Sequence, residues 1–230
     1  MSKLAVILAG GLGTRLKPYT ISIPKPLVPI NEKPVLEILI LNLKKQGFTK
    51  FIITLNHFSN LIKAYFGNGS SLGVEISYSE EKMRLSTIGP LSLVKNLPDN
   101  FLVINSDVLS DIDLNAMWNF HIKNKNIFTV GSFNVEVKSE FGELVVEKKG
   151  KIIDFREKPV NKNLVSMGIY LANKSILKYI PKDTFYGFDH LMLDLIKSNN
   201  FASTFLHEGF WLDIGRPSDY EKAEDYISKL

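Results

Sequence analysis

The chain reads as an α/β protein, and two observations carry that reading. Apolar runs of strand length alternate with segments whose leucines and isoleucines recur at helical spacing. From Phe128 the texture changes, and strand candidates follow one another in a more antiparallel manner. The expectation is a mixed sheet with helices against it.

The elements follow in order. Leu4-Ala5-Val6-Ile7-Leu8 is a continuous apolar run, the mark of a buried strand, and it enters a glycine-rich turn directly. Val35 to Gln46 has helical spacing and stops at Gly47, a C-terminal capping residue. Phe51 to Leu55 reads as a second buried strand, Leu61 to Phe66 as a short helix ended by Gly67, and Val74 to Tyr78 as a half-buried strand. Phe101 to Ile104 is a further buried strand that delivers Asn105-Ser106-Asp107 at its end. A helix with an acidic start spans Asp113 to Lys123. Strands are expected at Phe128–Val137, Leu144–Glu147, Ile152–Glu157 and Leu164–Leu171, with a Lys149-Gly150 turn between two of them. Helices are expected around Leu177 and over Asp189–Ser198, then a strand at Ala202–Leu206 and a capped helix from Ser218.

With 230 residues, 45% hydrophobic and 23% charged, the chain can bury a sizeable core. It contains no cysteine, which excludes disulfides, thiolate metal sites and a cysteine nucleophile. No apolar stretch has the length of a membrane span or the form of a signal peptide, so cytoplasmic residence is expected, without a membrane partner. The net charge of +4 favours polyanionic ligands mildly. No basic stripe interleaved with aromatics points to nucleic acid. Arg15, Arg84, Arg156 and Arg216 are the only arginines in a lysine-rich chain, and all four lie in segments that other features single out, which suggests positions where a planar fork is needed.

The most telling run is Leu8-Ala9-Gly10-Gly11-Leu12-Gly13-Thr14-Arg15-Leu16, followed by Pro24-Lys25-Pro26-Leu27. Three glycines in four positions let backbone N–H groups approach an anion, and Thr14, Arg15 and Lys25 add a hydroxyl and two cations. Leu16 stands where a dinucleotide fingerprint needs its third glycine, and no Gly-Lys-Ser/Thr completes a P-loop. The run resembles the signature of the sugar-phosphate nucleotidylyltransferases, L-A-G-G-x-G-T-R-L followed by P-K-P-L, among them mannose-1-phosphate guanylyltransferases and related cytidylyl- and guanylyltransferases. Phe210-Trp211-Leu212-Asp213-Ile214-Gly215-Arg216-Pro217 resembles the family's W-x-D-I-G-x-P segment, Glu157-Lys158-Pro159 its E-K-P, Phe141-Gly142 its Y-G and Met167-Gly168-Ile169-Tyr170 its A-G-I-Y.

The resemblance implies a three-layer Rossmann-like nucleotidyltransferase fold, with a mostly parallel central sheet flanked by helices and a small antiparallel acceptor-binding part. It implies one domain over 1–230, with a nucleotide-binding half (1–125) and an acceptor-binding half (126–230). Arg15, Lys25 and Asp107 are then catalytic. Leu8, Ala9, Gly10, Gly11, Gly13, Thr14, Glu81, Ser86 and Gly89 meet the nucleotide. Gly142, Glu157, Lys158 and Gly168 meet the acceptor, and Asp107 and Asp213 hold Mg²⁺, a cation that prefers hard oxygen ligands. The alternative reading of Asp107 taken alone is a turn or helix cap, of Lys25 a solvated lysine, and of Glu157-Lys158 a charged turn before proline. Glu81 is either a base reader, favouring the N–H donors of guanine or cytosine, or a solvated loop charge. The four histidines, His57, His121, His190 and His207, show no ligand spacing and read as structural.

Departures from the family fall on the acceptor and ribose side. Its L-G-T-A-G appears as Leu85-Ser86-Thr87-Ile88-Gly89 followed by Pro90, its G-D as Ser106-Asp107, and its N-A-G as Ser166-Met167-Gly168. Ser86 and Ile88 add bulk, Pro90 removes a backbone donor and Ser166 is shorter than asparagine; together they are expected to shrink and re-aim the acceptor space, so that glucose 1-phosphate and mannose 1-phosphate are poor substrates. The reading is a Mg²⁺-dependent transfer of NMP from GTP or CTP to a phosphorylated metabolite, a modified sugar 1-phosphate, for glycan or capsule synthesis. A cytidylyltransferase for phosphoglutamine or choline phosphate, and a non-catalytic nucleotide-sugar sensor, are the alternatives. The partners are an NTP and a phosphorylated small-molecule acceptor, and a homodimer is compatible with the reading.

Overall fold

The computed structural model describes residues 3–11, 13–56, 58–200 and 202–228; His57 and Leu12 of the glycine loop lie outside them. In chain order the elements are β1 (Lys3–Leu8), β2 (Pro29–Ile30), β3 (Lys33–Pro34), α1 (Val35–Lys45), β4 (Phe48–Leu55), α2 (Ser59–Phe66), β5 (Glu75–Glu80), β6 (Asn100–Asn105), β7 (Val108–Ser110) and α3 (Leu114–Lys123). There follow β8 (Phe128–Lys138), β9 (Glu143–Val146), β10 (Ile152–Arg156), β11 (Val160–Asn173), α4 (Phe188–Lys197), β12 (Ala202–His207), β13 (Trp211–Asp213) and α5 (Pro217–Ile227).

Seven strands form one sheet in the order β12-β8-β11-β6-β1-β4-β5. Neighbours are parallel except at β11, which runs against both β8 and β6. The sheet is therefore mixed and mostly parallel, and β9–β10, β7–β13 and β2–β3 are small antiparallel pairs. Side chains alternate across the sheet with period two. Ala5, Ile7, Leu102, Ile104, Ile169 and Leu171 face a core built with α1, α2 and α3. Val6, Phe101, Val103, Tyr170 and Ala172 face the opposite core, built with α4 and the 3-10 turns at 89–93 and 174–179. The result is three layers, as expected from the resemblance.

Several elements differ from expectation in physical detail. The segment around Leu177 is a 3-10 turn, Lys174–Tyr179, opened by the Asn173 side chain accepting from the Ser175 N–H at 3.0 Å. β11 starts at Val160, because Asn161, Lys162 and Asn163 pair with β8 although they are exposed. The last helix begins at Pro217, and the Asp219 carboxylate, in its first turn, accepts the Gly215 and Arg216 N–H groups at 3.0 and 2.7 Å. Asp113 caps α3 by accepting two amides at 2.9 Å each.

Because β1, β4, β5 and β6 are parallel, their carboxyl ends share one edge of the sheet. That edge delivers the glycine loop, Asn56, Glu81 and the Asn105-Ser106-Asp107 turn side by side, where open α/β sheets bind ligands. No helix among the described residues is long and apolar enough to cross a membrane.

Candidate active site

A cleft of about 380 Å³ opens at that edge. It is lined by Leu8, Gly10, Gly11, Gly13, Thr14, Arg15, Lys25, Glu81, Ser86, Asp107 and Asp213, all singled out in the sequence. Thr54, Arg84, Thr87, Pro90, Asn105, Ser106 and Gly215 line it as well.

The glycine loop is held open by its own backbone. Gly13 takes φ +62°, and a Cβ there would meet Thr20 Cγ2 at 3.0 Å and Lys25 Cβ at 3.1 Å, so any side chain would be strained and crowded. The Thr20 hydroxyl donates to the Gly13 carbonyl at 2.7 Å and ties the loop to the following turn. Ala9 is buried and spends its N–H on the Thr54 carbonyl at 3.0 Å, so it supports the loop from beneath and does not line the cleft.

Lys25 and Asp107 meet directly, the ammonium donating to Asp107 Oδ2, with both side chains largely buried. Asp213 arrives from the far end of the sequence because β13 pairs with β7, the strand that follows Asp107. The Ile214 N–H donates to the Asp107 carbonyl oxygen at 3.0 Å, which fixes the two turns together. Burial and the charge of Asp107 push the Asp213 carboxyl up from its ordinary value, and Lys25 and Arg15 pull it down. Arg15 lies against the Asp213-Ile214-Gly215 segment. A Cβ on Gly215 would meet its guanidinium at 3.3 Å, so the glycine of Asp-Ile-Gly leaves room for that fork. Gly215 is a site residue that sequence reasoning quoted only as motif, and its closeness to Arg15 was the missing signal.

Among the described residues no cluster of three or more His, Asp or Glu side chains forms a metal site. Two carboxylates that repel one another still fit a hard divalent cation whose other ligands come from phosphate oxygens and water.

Glu81 is half-buried. It accepts the Leu85 N–H at 2.9 Å, and burial raises its pKa while that bond, Asn56 and Arg84 lower it. A Cβ on Gly10 would lie 2.6 Å from Glu81 Oε1, so the carboxylate faces the root of the glycine loop. Ser86 has φ +70°, a left-handed conformation that glycine favours, at the position where the resembling motif carries glycine. Gly89 does not line the cleft, and its N–H is given to the Tyr186 carbonyl at 2.8 Å. Ile88 does not narrow the site as expected: its side chain is fully buried in the core with Val6 and Leu91. Pro90 does line the cleft, in the first turn of a 3-10 segment, where it removes a backbone N–H that no helical acceptor would occupy.

The acceptor candidates lie outside this lining. Gly142 and Glu157 are adjacent, since a Cβ on Gly142 would meet Phe155 at 2.5 Å and Glu157 Oε2 at 3.1 Å. Lys158 follows at φ +44°, exposed beyond the β9–β10 hairpin. Gly168 sits at the bulge of β11, φ +73°, where a Cβ would come 2.5 Å from Asn105 Nδ2. The Ser166 hydroxyl accepts the Gly168 N–H at 3.3 Å and donates to Tyr170 Oη at 3.2 Å. Burial, with Asp107 and Asp213 nearby, pushes the Tyr170 phenol up to about 12. His121 is buried between Thr129 and Asn100, His190 accepts the Gly187 N–H at 3.2 Å, and His207 contacts Asp111 at 2.8 Å.

The sequence model described as nucleotidyl transferase matches residues 4–229. A UTP–glucose-1-phosphate uridylyltransferase from Synechocystis sp. is 32% identical over 95% of this chain, which spans 62% of that relative's length. A D-glycero-α-D-manno-heptose 1-phosphate guanylyltransferase from Aneurinibacillus thermoaerophilus is 32% identical over 96% of both chains. The crystal structure of HddC from Yersinia pseudotuberculosis superposes with a TM-score of 0.75 at 27% identity, covering 98% of this chain and 99% of that one. The same protein has been solved complexed with GMP-PN. With the glycine loop, Lys25, Asp107 and Asp213 gathered at the carboxyl edge of a matching sheet, the chain belongs to the nucleotidyl transferase family, among the sugar-phosphate nucleotidylyltransferases.

Proposed function

We propose that this chain transfers a nucleoside monophosphate from GTP or CTP to a modified sugar 1-phosphate, with Mg²⁺, releasing pyrophosphate. The observation that carries the reading is the convergence of Arg15, Lys25, Asp107 and Asp213 on one cleft at the glycine loop. An oxygen of the acceptor phosphate attacks the α-phosphorus, the bond from that phosphorus to the α–β bridging oxygen breaks, and pyrophosphate leaves with the electron pair. Both reactants are anions, so the protein's work is alignment and charge neutralisation. The Gly10 and Gly11 amides, with no acceptor among the described residues, are free to receive phosphate oxygens. Arg15 offers its fork to the departing β- and γ-phosphates, and Lys25 offers its ammonium near the α-phosphate. Asp107 and Asp213 would hold Mg²⁺, which when bound neutralises phosphate charge and orients the triphosphate.

GTP and a modified sugar are supported by the heptose 1-phosphate guanylyltransferase, which matches along 96% of both chains. Ser86, in place of a glycine at the cleft wall, supports a changed ribose or acceptor fit. The division at residue 125 is kept as a working description, with Asp213 and Gly215 crossing into the nucleotide half. A pyrophosphate-release screen of GTP, CTP, UTP, dTTP and ATP against sugar 1-phosphates, including a heptose 1-phosphate, choline phosphate and phosphoglutamine tests it. Release with GTP or CTP and a modified sugar 1-phosphate is the expected result. Preference for UTP with glucose 1-phosphate moves the protein to the reading suggested by the Synechocystis relative, and no release from any pair contradicts the transfer.

A further inference from the structure

Arg84 lines the cleft but takes no part in the transfer described above. Its guanidinium has no hydrogen-bond or ion-pair partner among the described residues, and it acts on Glu81 through space. The two cations of the triphosphate end are placed elsewhere: Lys25 is on Asp107, and Arg15 is beside Gly215 and Asp213. Arg84 instead stands three residues from a carboxylate that faces the same cleft. Glu81 is held in place by the Leu85 N–H, and a carboxylate oxygen accepts more than one hydrogen bond, so it retains acceptor capacity. A heterocycle edge with donors and acceptors side by side would satisfy both groups.

We propose that Arg84 is the donor half of a base reader whose acceptor half is Glu81, and that the pair selects a nucleobase with an exocyclic amino group and a ring carbonyl. Guanine offers N1–H and its amino group to the carboxylate, and O6 and N7 to the guanidinium fork. Cytosine offers its amino group to the carboxylate, and N3 and O2 to the fork. Uracil and thymine have no amino group and turn carbonyl oxygens towards Glu81. Adenine has the amino group but no carbonyl for the fork. The inference rests on the nucleotidyl-transfer reading and narrows its donor.

Arg84→Ala and Arg84→Lys are assayed for pyrophosphate release with GTP, CTP, UTP and dTTP at one fixed acceptor, alongside thermal melts. Arg84 is exposed, so both variants are expected to melt like the wild type. The wild type is expected to favour GTP or CTP, and those two arms identify the base. In Arg84→Ala the preference ratio over UTP falls by about ten-fold or more, the scale of a lost bidentate base contact. Arg84→Lys restores only part of it, since an ammonium has no fork. Wild-type preference for UTP or dTTP overturns the proposal. An equal loss with all four nucleotides, which marks a phosphate contact, overturns it too, as does an unchanged ratio. Should the wild type turn over no NTP, the transfer reading fails, and calorimetric binding of GMP and CMP against UMP decides the base reader by itself.

Discussion

Arg15 is the residue whose removal reads the chemistry most cleanly, because it is exposed and its guanidinium meets the backbone of Gly215 rather than the core. Arg15→Ala should keep the wild-type melt and lower kcat by about 10²-fold, the scale of a lost transition-state contact; wild-type turnover in the folded variant removes the loop from the mechanism. His121 makes a prediction about stability instead. Burial holds its imidazole down at about 4, against 6.5 for an ordinary histidine. Between those values the unfolded chain takes up a proton that the folded chain refuses, so stability falls as pH drops through the window and levels off below it. At about 1.4 kcal/mol per pH unit, the loss is of the order of 3 kcal/mol. Urea melts at several pH values should show that slope, and His121→Gln should flatten it; an equal slope in the variant rejects the assignment.

At the level of elements, the β11 bulge is the feature most open to test. Gly168→Ala would put a Cβ at φ +73° and 2.5 Å from the Asn105 side chain that lines the cleft. A non-glycine residue held in such a conformation costs about 1–3 kcal/mol, so Tm should fall by roughly 2–10 °C. Turnover should fall as Asn105 is displaced, and an unchanged melt means the bulge relaxes freely. The longer elements, such as β1, α1, β4 and α4, were legible because their apolar spacing covers several residues. β7 and β13 were not, since three-residue strands carry no period, yet their pairing brings Asp213 to Asp107. The 3-10 turn at Lys174–Tyr179 has helix-like spacing, and only its i→i+3 geometry sets it apart. Ile88 was misread because a loop side chain's direction depends on the strand order beneath it. Tyr186 and Phe188 strap residues 87–89 from across the fold and turn Ile88 inward.

For the molecule as a whole, the sheet order turns a sequence motif into a site. Parallel β6, β1, β4 and β5 align the glycine loop, the Asp107 turn and Glu81, and the β7–β13 pair adds Asp213 and Gly215 from the opposite end of the chain. Motif spacing made the phosphate loop legible, but which departures face the cleft emerged only with the tertiary structure: Ser86, Pro90 and Ser106 do, and Ile88 does not. The claim that two distant carboxylates complete one transfer site is tested by product formation from GTP and a sugar 1-phosphate in Mg²⁺. Wild type and Asp213→Asn are compared at matched thermal stability, with and without EDTA. Nucleotide-sugar and pyrophosphate are expected in equal amounts from the wild type and none in EDTA, with a rate about 10²-fold lower in Asp213→Asn. Undiminished turnover in the variant, or in EDTA, would contradict the account.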